Sequence, residues 1–386
     1  YKVWDYLRKN TDRRHPTSIA KMRKDEDINA YIGDKETINR LLKDMANIMN
    51  LEDGGSDYKP EAEWRLYFDD FKKFYGDNER YERDDSDEDD SYIANVMRIK
   101  NLYYNRTFSE KEVDSIIEGI MATRTLDSKS AQELVRKVED NMTTVFYKRT
   151  PRHICKVQEP ELADRELLKD NLAIIQKAID DNVRIQFRFN GYSYEKKLEP
   201  VREESDELSP YYIVASGGKY YLLAAKEYEG YKPNMSIWRI DLMTDIEIPG
   251  KNDRLHIKGI PRIPKKDVAN LPEKWSEDFQ LKHLNMSFDK PVPVTLRIKS
   301  EKCEDNPKKR VRPGYTFLHD WFGDSFTYIR TETKPPYDDI VRVECSPYGM
   351  AHWALQYSEL VEVLEPESLR KDIKSKIKAL NEKYSL

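Results

Sequence analysis

Ser209-Pro210-Tyr211-Tyr212-Ile213-Val214-Ala215-Ser216-Gly217-Gly218-Lys219-Tyr220-Tyr221-Leu222-Leu223-Ala224-Ala225 is the stretch whose reading decides the fold. Tyr211–Ser216 is rich in β-branched and aromatic residues, so it predicts a strand. Gly217-Gly218 tolerates positive φ at both centres, as a two-residue primed hairpin turn requires. Lys219–Ala225 is then the return strand. Ile237–Met243 predicts a third strand, with Arg239 and Asp241 on one face and Trp238, Ile240 and Leu242 on the other. Just upstream, Val183, Ile185, Phe187 and Phe189 alternate with Arg184, Gln186 and Arg188, a strand with one apolar and one basic face. Asn190-Gly191 predicts its hairpin turn. Leu167, Leu168, Leu172, Ile175 and Ile179 mark a helix packed on this sheet.

Toward the N-terminus the period changes from two to about 3.6. Val3, Trp4 and Leu7 predict a first helix. Ser18 opens a second, with Ile19 and Met22 apolar. Asp34 is placed to cap a third, in which Ile38, Leu41, Leu42, Met45 and Ile48 form the inward face. Lys35, Thr37, Asn39, Arg40 and Lys43 lie elsewhere on it. Three short helices with a small second one predict a helix-turn-helix. Glu61–Tyr75 is aromatic-rich and reads as a helix, and Glu79–Asp90 carries so many like charges that a solvated loop is expected. Tyr92–Tyr104 reads as strand, with Arg98 and Lys100 available to phosphates. Ser109 and Glu112 form a capping box before Ile116, Ile117 and Ile120. Ser130–Phe146 predicts a further helix with Leu134, Val138 and Met142 on one side.

Beyond the sheet, Pro249, Pro261, Pro264 and Pro272 mark a linker. From Pro291 a second alternating region begins, with Val292, Val294, Leu296 and Ile298, then Phe326, Tyr328 and Ile329, then Ile340, Val341 and Val343. Ser346–Gln356 is helical in pattern, Leu360–Leu364 is a last strand, and Pro366–Leu380 is a closing helix. The order β, α, β, β, α, β, α predicts a ferredoxin-like α+β module.

Bulk composition narrows the function. The chain has 386 residues, 35% charged and 38% hydrophobic, with net charge −5, so nucleic-acid contact must come from a local patch. Residues 1–50 supply such a patch, with eleven Lys/Arg against eight Asp/Glu. Cys155, Cys303 and Cys345 are odd in number and lack a C-x-x-C pair, which fits a reducing cytosol better than a disulfide framework. No apolar run reaches the length of a membrane span, and no signal-peptide pattern is visible. The chain opens at Tyr1 without Met, inside a helical pattern, which predicts residues upstream. Walker A, G-x-G-x-x-G, H-E-x-x-H, G-x-S-x-G and calcium-loop patterns are all absent, and no cofactor or metal site is expected. The chain reads as a non-enzyme.

Several segments carry a family resemblance. Tyr220-Tyr221-Leu222 resembles the Trp-Tyr-Leu signature of the WYL domain. Ser209-Pro210-Tyr211 and Trp238-Arg239-Ile240-Asp241 resemble that family's Ser-Pro-Tyr and aromatic-Arg-aliphatic-Asp segments. The run Thr37–Met45 resembles the recognition helix of the winged modules that precede WYL domains. Trp321-Phe322-Gly323, Trp353 and Val363–Arg370 resemble the C-terminal extension called WCX. The resemblance implies an α+β multidomain chain: a winged helix-turn-helix over 1–108 with an acidic insertion near 52–90, a helical linker over 109–160, and an Sm-like or SH3-like β-barrel WYL domain over 161–250. A linker over 251–284 and a WCX domain over 285–386 follow. It implies a bacterial, cytoplasmic, ligand-responsive transcription regulator of stress or phage-defence genes. Such a regulator binds a double-stranded operator as a homodimer and senses a nucleotide or single-stranded nucleic-acid fragment.

The candidate residues follow. Thr37, Asn39 and Arg40 suit base edges, while Arg13, Arg14, Thr17, Ser18, Lys35 and Lys43 suit phosphates. Arg239 sits at a motif position that the family uses for a basic ligand site, and its forked donors match two oxygens of a phosphate or carboxylate. Tyr221, Ser209, Arg184 and Arg188 join it as ligand candidates. Pairing of Arg239 with Asp241 or a neighbouring strand is the alternative. The family often has basic residues where this chain has Ser236 and Leu242, which lowers the charge of the site. Two other classes stay open: an accessory single-stranded nucleic-acid-binding protein that modulates a nuclease or anti-phage complex, and a structural dimer whose helix-turn-helix contacts protein.

Overall fold

The computed structural model describes residues 1–31, 34–52, 58–75, 97–123, 126–149, 165–299, 302–303, 306–310 and 314–384. It is a mixed α+β chain with several sheets, one of them a curled half-barrel. It divides into two compact units, Tyr1–Glu161 and Leu162–Leu386. The acidic run 79–90 and the first part of the expected strand 92–104 lie outside the described residues. Among those residues, no helix is long and apolar enough to cross a membrane.

The first unit opens with α1 (Lys2–Asn10), α2 (Ile19–Met22), α3 (Glu26–Tyr31) and α4 (Lys35–Asn50). Ser18 caps α2 and Asp34 caps α4, as their side-chain oxygens imply. The helix α3 is an addition to the three expected. Glu61–Tyr75 is not one helix: it holds β1 (Leu66–Tyr67) and α5 (Asp69–Tyr75). β1 pairs antiparallel with β2 (Tyr103–Tyr104), and Thr17 bridges Leu102, so only the end of 92–104 is strand among the described residues. Trp64, Leu66, Phe68 and Phe71 bury themselves with Val3, Leu7, Ile38 and Leu42 in one core.

Two more helices complete this unit, α6 (Glu110–Ala122) and α7 (Ser128–Met142). The Ser109–Glu112 capping box forms with both hydrogen bonds present. α7 starts and ends earlier than expected, and Ala131, Val135 and Val138 are its buried residues. Leu134 is exposed, a correction to the expected face. The smaller Ala131 and the β-branched Val135 let α7 approach Val113 and Ile117 of α6 closely.

In the second unit, α8 (Arg165–Asp181) packs Leu168, Ile175 and Ala178 against the half-barrel, as its stripe predicts. The strands are β3 (Ile185–Tyr192), β4 (Leu198–Pro200), β5 (Asp206–Ser216), β6 (Lys219–Tyr228), β7 (Tyr231–Arg239) and β8 (Met243–Glu247). Their order is β4-β3-β5-β6-β7, and β8 returns to pair with β3. Gly217 and Gly218 form the expected turn, with φ of 55° and 71°, and Ser216 lies opposite Lys219. Asn190-Gly191 is not a turn. It lies inside β3, because the Asn190 amide donates to Leu242 O and Thr244 Oγ1 and ties the strand inward. The chain turns at Ser193–Lys197 instead.

The third strand also ends early. β7 stops at Arg239, and Ile240–Leu242 is a 3-10 turn, so Ile240 and Asp241 are both buried and the two-residue alternation breaks. The Pro-rich stretch after β8 packs back on the sheet, with Ile263, Val268 and Leu271 against Tyr211, Leu223 and Met235.

The C-terminal region follows α9 (Phe279–Lys282). It comprises β9 (Val292–Ile298), a small hairpin of β10 (Lys302–Cys303) and β11 (Asn306–Arg310), α10 (Thr316–Phe322), β12 (Thr327–Thr331), β13 (Asp339–Cys345), α11 (Pro347–Gln356), β14 (Val361–Glu365) and α12 (Glu367–Tyr384). The main sheet is antiparallel in the order β12-β13-β9-β14. Apart from the hairpin, the element order is the one read from the alternation. Val294, Leu296, Ile298, Val341 and Val343 face Phe322, Met350, Trp353 and Leu369 of the three helices.

Candidate functional site

In the first unit, α4 presents two different surfaces. Asp34 Oδ2 accepts the Thr37 amide at 2.7 Å, and its bonds to Thr37 hold its carboxyl below the usual carboxylate range. Ile38, Leu42, Ala46 and Asn50 face inward. Lys35, Thr37 and Arg40 are exposed, and Asn39 is half-buried. Lys43, expected to reach phosphates, is buried at 6% exposure; burial pushes its ammonium pKa down and Asp70 acts the other way. Ile48, expected inside, is 75% exposed. One polar residue explains this rotation. The Asn50 side chain accepts the amides of Arg65 and Leu66 at 2.8 and 3.2 Å and donates to Leu66 O at 2.8 Å. That fixes which side of α4 meets β1.

Arg13 and Arg14 are exposed on a turn closed by Asp12, which accepts the amides of Arg14 and His15 at 2.7 and 2.8 Å. Ser18 is half-buried and spends its oxygen on the cap of α2. Thr17 is buried at its bridge to Leu102. Thus Arg13, Arg14, Lys35 and Arg40 keep solvent-facing donors, Thr37 is exposed but gives its hydroxyl to Asp34, and Thr17 and Lys43 are buried. Arg98 and Lys100 are also exposed.

In the second unit, Arg239 is the last residue of β7, opposite Tyr221 of β6. The 3-10 turn that follows brings Asp241 back beneath it. Arg239 Nε and Nη2 meet the two Asp241 oxygens at 3.1 and 2.5 Å. Burial opposes the Arg239 charge, but the hydrogen bond and the charge of Asp241 together, with smaller contributions from Tyr221 and Tyr192, outweigh it, and the guanidinium is held more firmly protonated. The Asp241 side chain is 1% exposed and that of Arg239 is 29% exposed. The result is a cation fixed from below by a buried carboxylate, with Tyr221 opposite it on β6 and Tyr192 close enough to act on its charge. Sequence reasoning misses Tyr192 because it follows the expected turn at Asn190-Gly191.

The other ligand candidates are not gathered there. Arg184 donates to Glu207 at 2.9 Å, Glu227 at 2.8 Å and Pro261 O at 3.2 Å. Ser209 is buried, and its hydroxyl accepts the Ile263 amide at 3.0 Å. Arg188 is exposed, 3.7 Å from Asp245. Ser236 ties β7 to β6 by donating to Ala224 O at 3.0 Å, and it also accepts Trp238 Nε1–H of its own strand at 2.7 Å. Among the described residues no cluster of His, Cys, Asp and Glu is arranged to hold a metal.

Residues 290–380 match the model of the WCX domain, where the sequence resemblance expected it. No curated protein matches the chain. Among solved structures, one similar chain is the proteasome accessory factor B/C (PafBC) of Arthrobacter aurescens. It is 16% identical, with a TM-score of 0.24, over 75% of this chain and 39% of that one. This chain therefore spans well under half of that protein's length. A CRISPR Cas-related protein is 13% identical over 96% of this chain and 94% of that one, with a TM-score of 0.30. At these TM-scores neither likeness bears on fold or function.

Proposed function

We propose that the chain is a ligand-responsive, DNA-binding transcription regulator. In this reading α1 to α4 with β1 and β2 act as a winged helix-turn-helix on a double-stranded operator, and the half-barrel acts as a WYL sensor. The observation that carries the reading is the divided surface of α4, apolar toward the core and bearing Lys35, Thr37 and Arg40 toward solvent. Asp34 and Glu36 sit beside those residues and the Asp34 oxygen already occupies a helix amide. Contact with DNA therefore falls to side chains, not to the open end of the helix. The protein acts as a homodimer, because each helix-turn-helix reads one half-site of a two-fold operator.

The effector is an anion with a flat base or ring, a nucleotide or a short single strand. Arg239 offers it charge, and Tyr221 and Tyr192 offer stacking. A ligand at Arg239 must bind two conformations unequally to change DNA affinity.

Binding of the purified protein to its own upstream region, with and without short oligonucleotides, tests both halves. Arg40→Ala is expected to weaken specific binding by ~1–3 kcal/mol if it reads a base. Equal losses on specific and scrambled duplexes would reduce Arg40 to a phosphate contact. A preference for single strands over every duplex tried would replace the regulator reading with the accessory one. For the sensor, Arg239→Lys is the cleaner probe, because Arg239→Ala would strand Asp241 as a buried charge. The Lys variant keeps the charge, loses the fork, and is expected to lose the oligonucleotide response while still binding DNA.

A further inference from the structure

The closing helix α12 is half in the core and half out of it. Leu369 is 3% exposed, and Ile373 packs against the same C-terminal core. Arg370 ties this first part down through Val363 O at 3.1 Å and Glu362 at 2.8 Å. The apolar stripe then continues without cover. Ile377, Leu380 and Tyr384 recur at three- and four-residue steps on the line begun by Leu369 and Ile373, so all five share one side of the helix. They are 51%, 43% and 82% exposed.

We propose that this outer half of α12 docks an acidic amphipathic helix of a partner protein. The apolar stripe runs about 10 Å from Ile377 to Tyr384, two turns, which is the length a single helix covers with two or three side chains. Its borders decide the charge of the partner. Lys376, which also lies 3.6 Å from Asp372, and Lys383, seven residues on, line one edge, and Lys374 lies toward the other. Residues 374–384 hold four lysines and one glutamate. A second copy of the same helix would set like charge against like, and three side chains fall well short of the ~800 Å² per partner that a stable dimer buries. A helix with leucines on one face and glutamates beside them satisfies both the stripe and its borders.

Two labelled helical peptides with the same leucine stripe, one bordered by Glu and one by Lys, test this against the full chain. The Glu peptide is expected to bind, at least tenfold more weakly at 0.5 M salt than at 0.1 M, and the Lys peptide is not. Ile377→Asp combined with Leu380→Asp changes only exposed side chains, so circular dichroism should be unaltered while binding falls at least tenfold. Lys374→Glu with Lys383→Glu should reverse the preference between the peptides. Equal binding of both peptides, or of neither, overturns the proposal. So does sedimentation showing that the Asp variant turns a dimer into a monomer, or binding of the helix to phosphatidylserine vesicles in place of the Glu peptide.

Discussion

Asp241 is a buried acid that fixes the partly exposed guanidinium of Arg239. Asp241→Ala would leave a partly buried guanidinium without its counter-ion. Breaking a buried pair typically costs 3–5 kcal/mol, and because Arg239 keeps some solvent the expected loss is about 3 kcal/mol, read from urea unfolding of the second unit. His283 gives a pH prediction of known sign. It is buried, Nδ1 lies 2.7 Å from Ser287 O, and burial lowers its pKa below 6.5 despite that bond. The folded state therefore binds the proton less readily than the unfolded chain does. Stability is full above pH 6.5 and falls as pH drops through the folded pKa. Melting temperature followed from pH 7.5 to 5 should show this decline, and His283→Gln should flatten it. Neither environment was legible in the sequence: the Arg-x-Asp spacing offered the pair as one of two readings, and nothing local marked His283 as buried.

At the scale of elements, what the sequence made plain was what depends on neighbours along the chain. The Gly217-Gly218 turn is such a case. A Cβ at Gly217 meets no atom within 4 Å, so Gly217→Ala tests backbone conformation alone. The positive φ should cost about 1–2 kcal/mol, seen as a lower urea midpoint with unchanged slope. The capping box at Ser109 is another, and Ser109→Ala should lower stability of the first unit by about 1 kcal/mol. Faces were harder. Leu134, Ile48 and Lys43 all went against the stripe read from hydropathy, since size at a close helix crossing and one buried amide, Asn50, set the rotation. Asn190 likewise looks like a turn residue, yet its amide is used as a strand-to-strand tie.

For the molecule as a whole, two units with separate cores predict separable unfolding. Residues 162–386 expressed alone should fold and melt cooperatively, and the full chain should show two calorimetric transitions. One transition that shifts when either unit is mutated would mean that the units fold as a single body. The proposed DNA binding adds a second whole-molecule test: log affinity should fall with log salt by about 0.9 for each phosphate neutralised. A slope near zero would favour the protein-contacting alternative.

The sequence by itself determined the Gly217-Gly218 hairpin, the caps of α2, α4 and α6, and the order of the main elements of the C-terminal module, because strand alternation, helix caps and glycine turns are written in residues next to one another. Only the tertiary structure decided which candidates face solvent and which are spent on the fold. Arg184, Ser209 and Lys43 have donors or acceptors like any ligand residue, but packing places an acid, an amide or the core against them. Arg239 is set apart by a buried carboxylate beneath it, a contact made where a strand breaks into a turn and residues two apart meet.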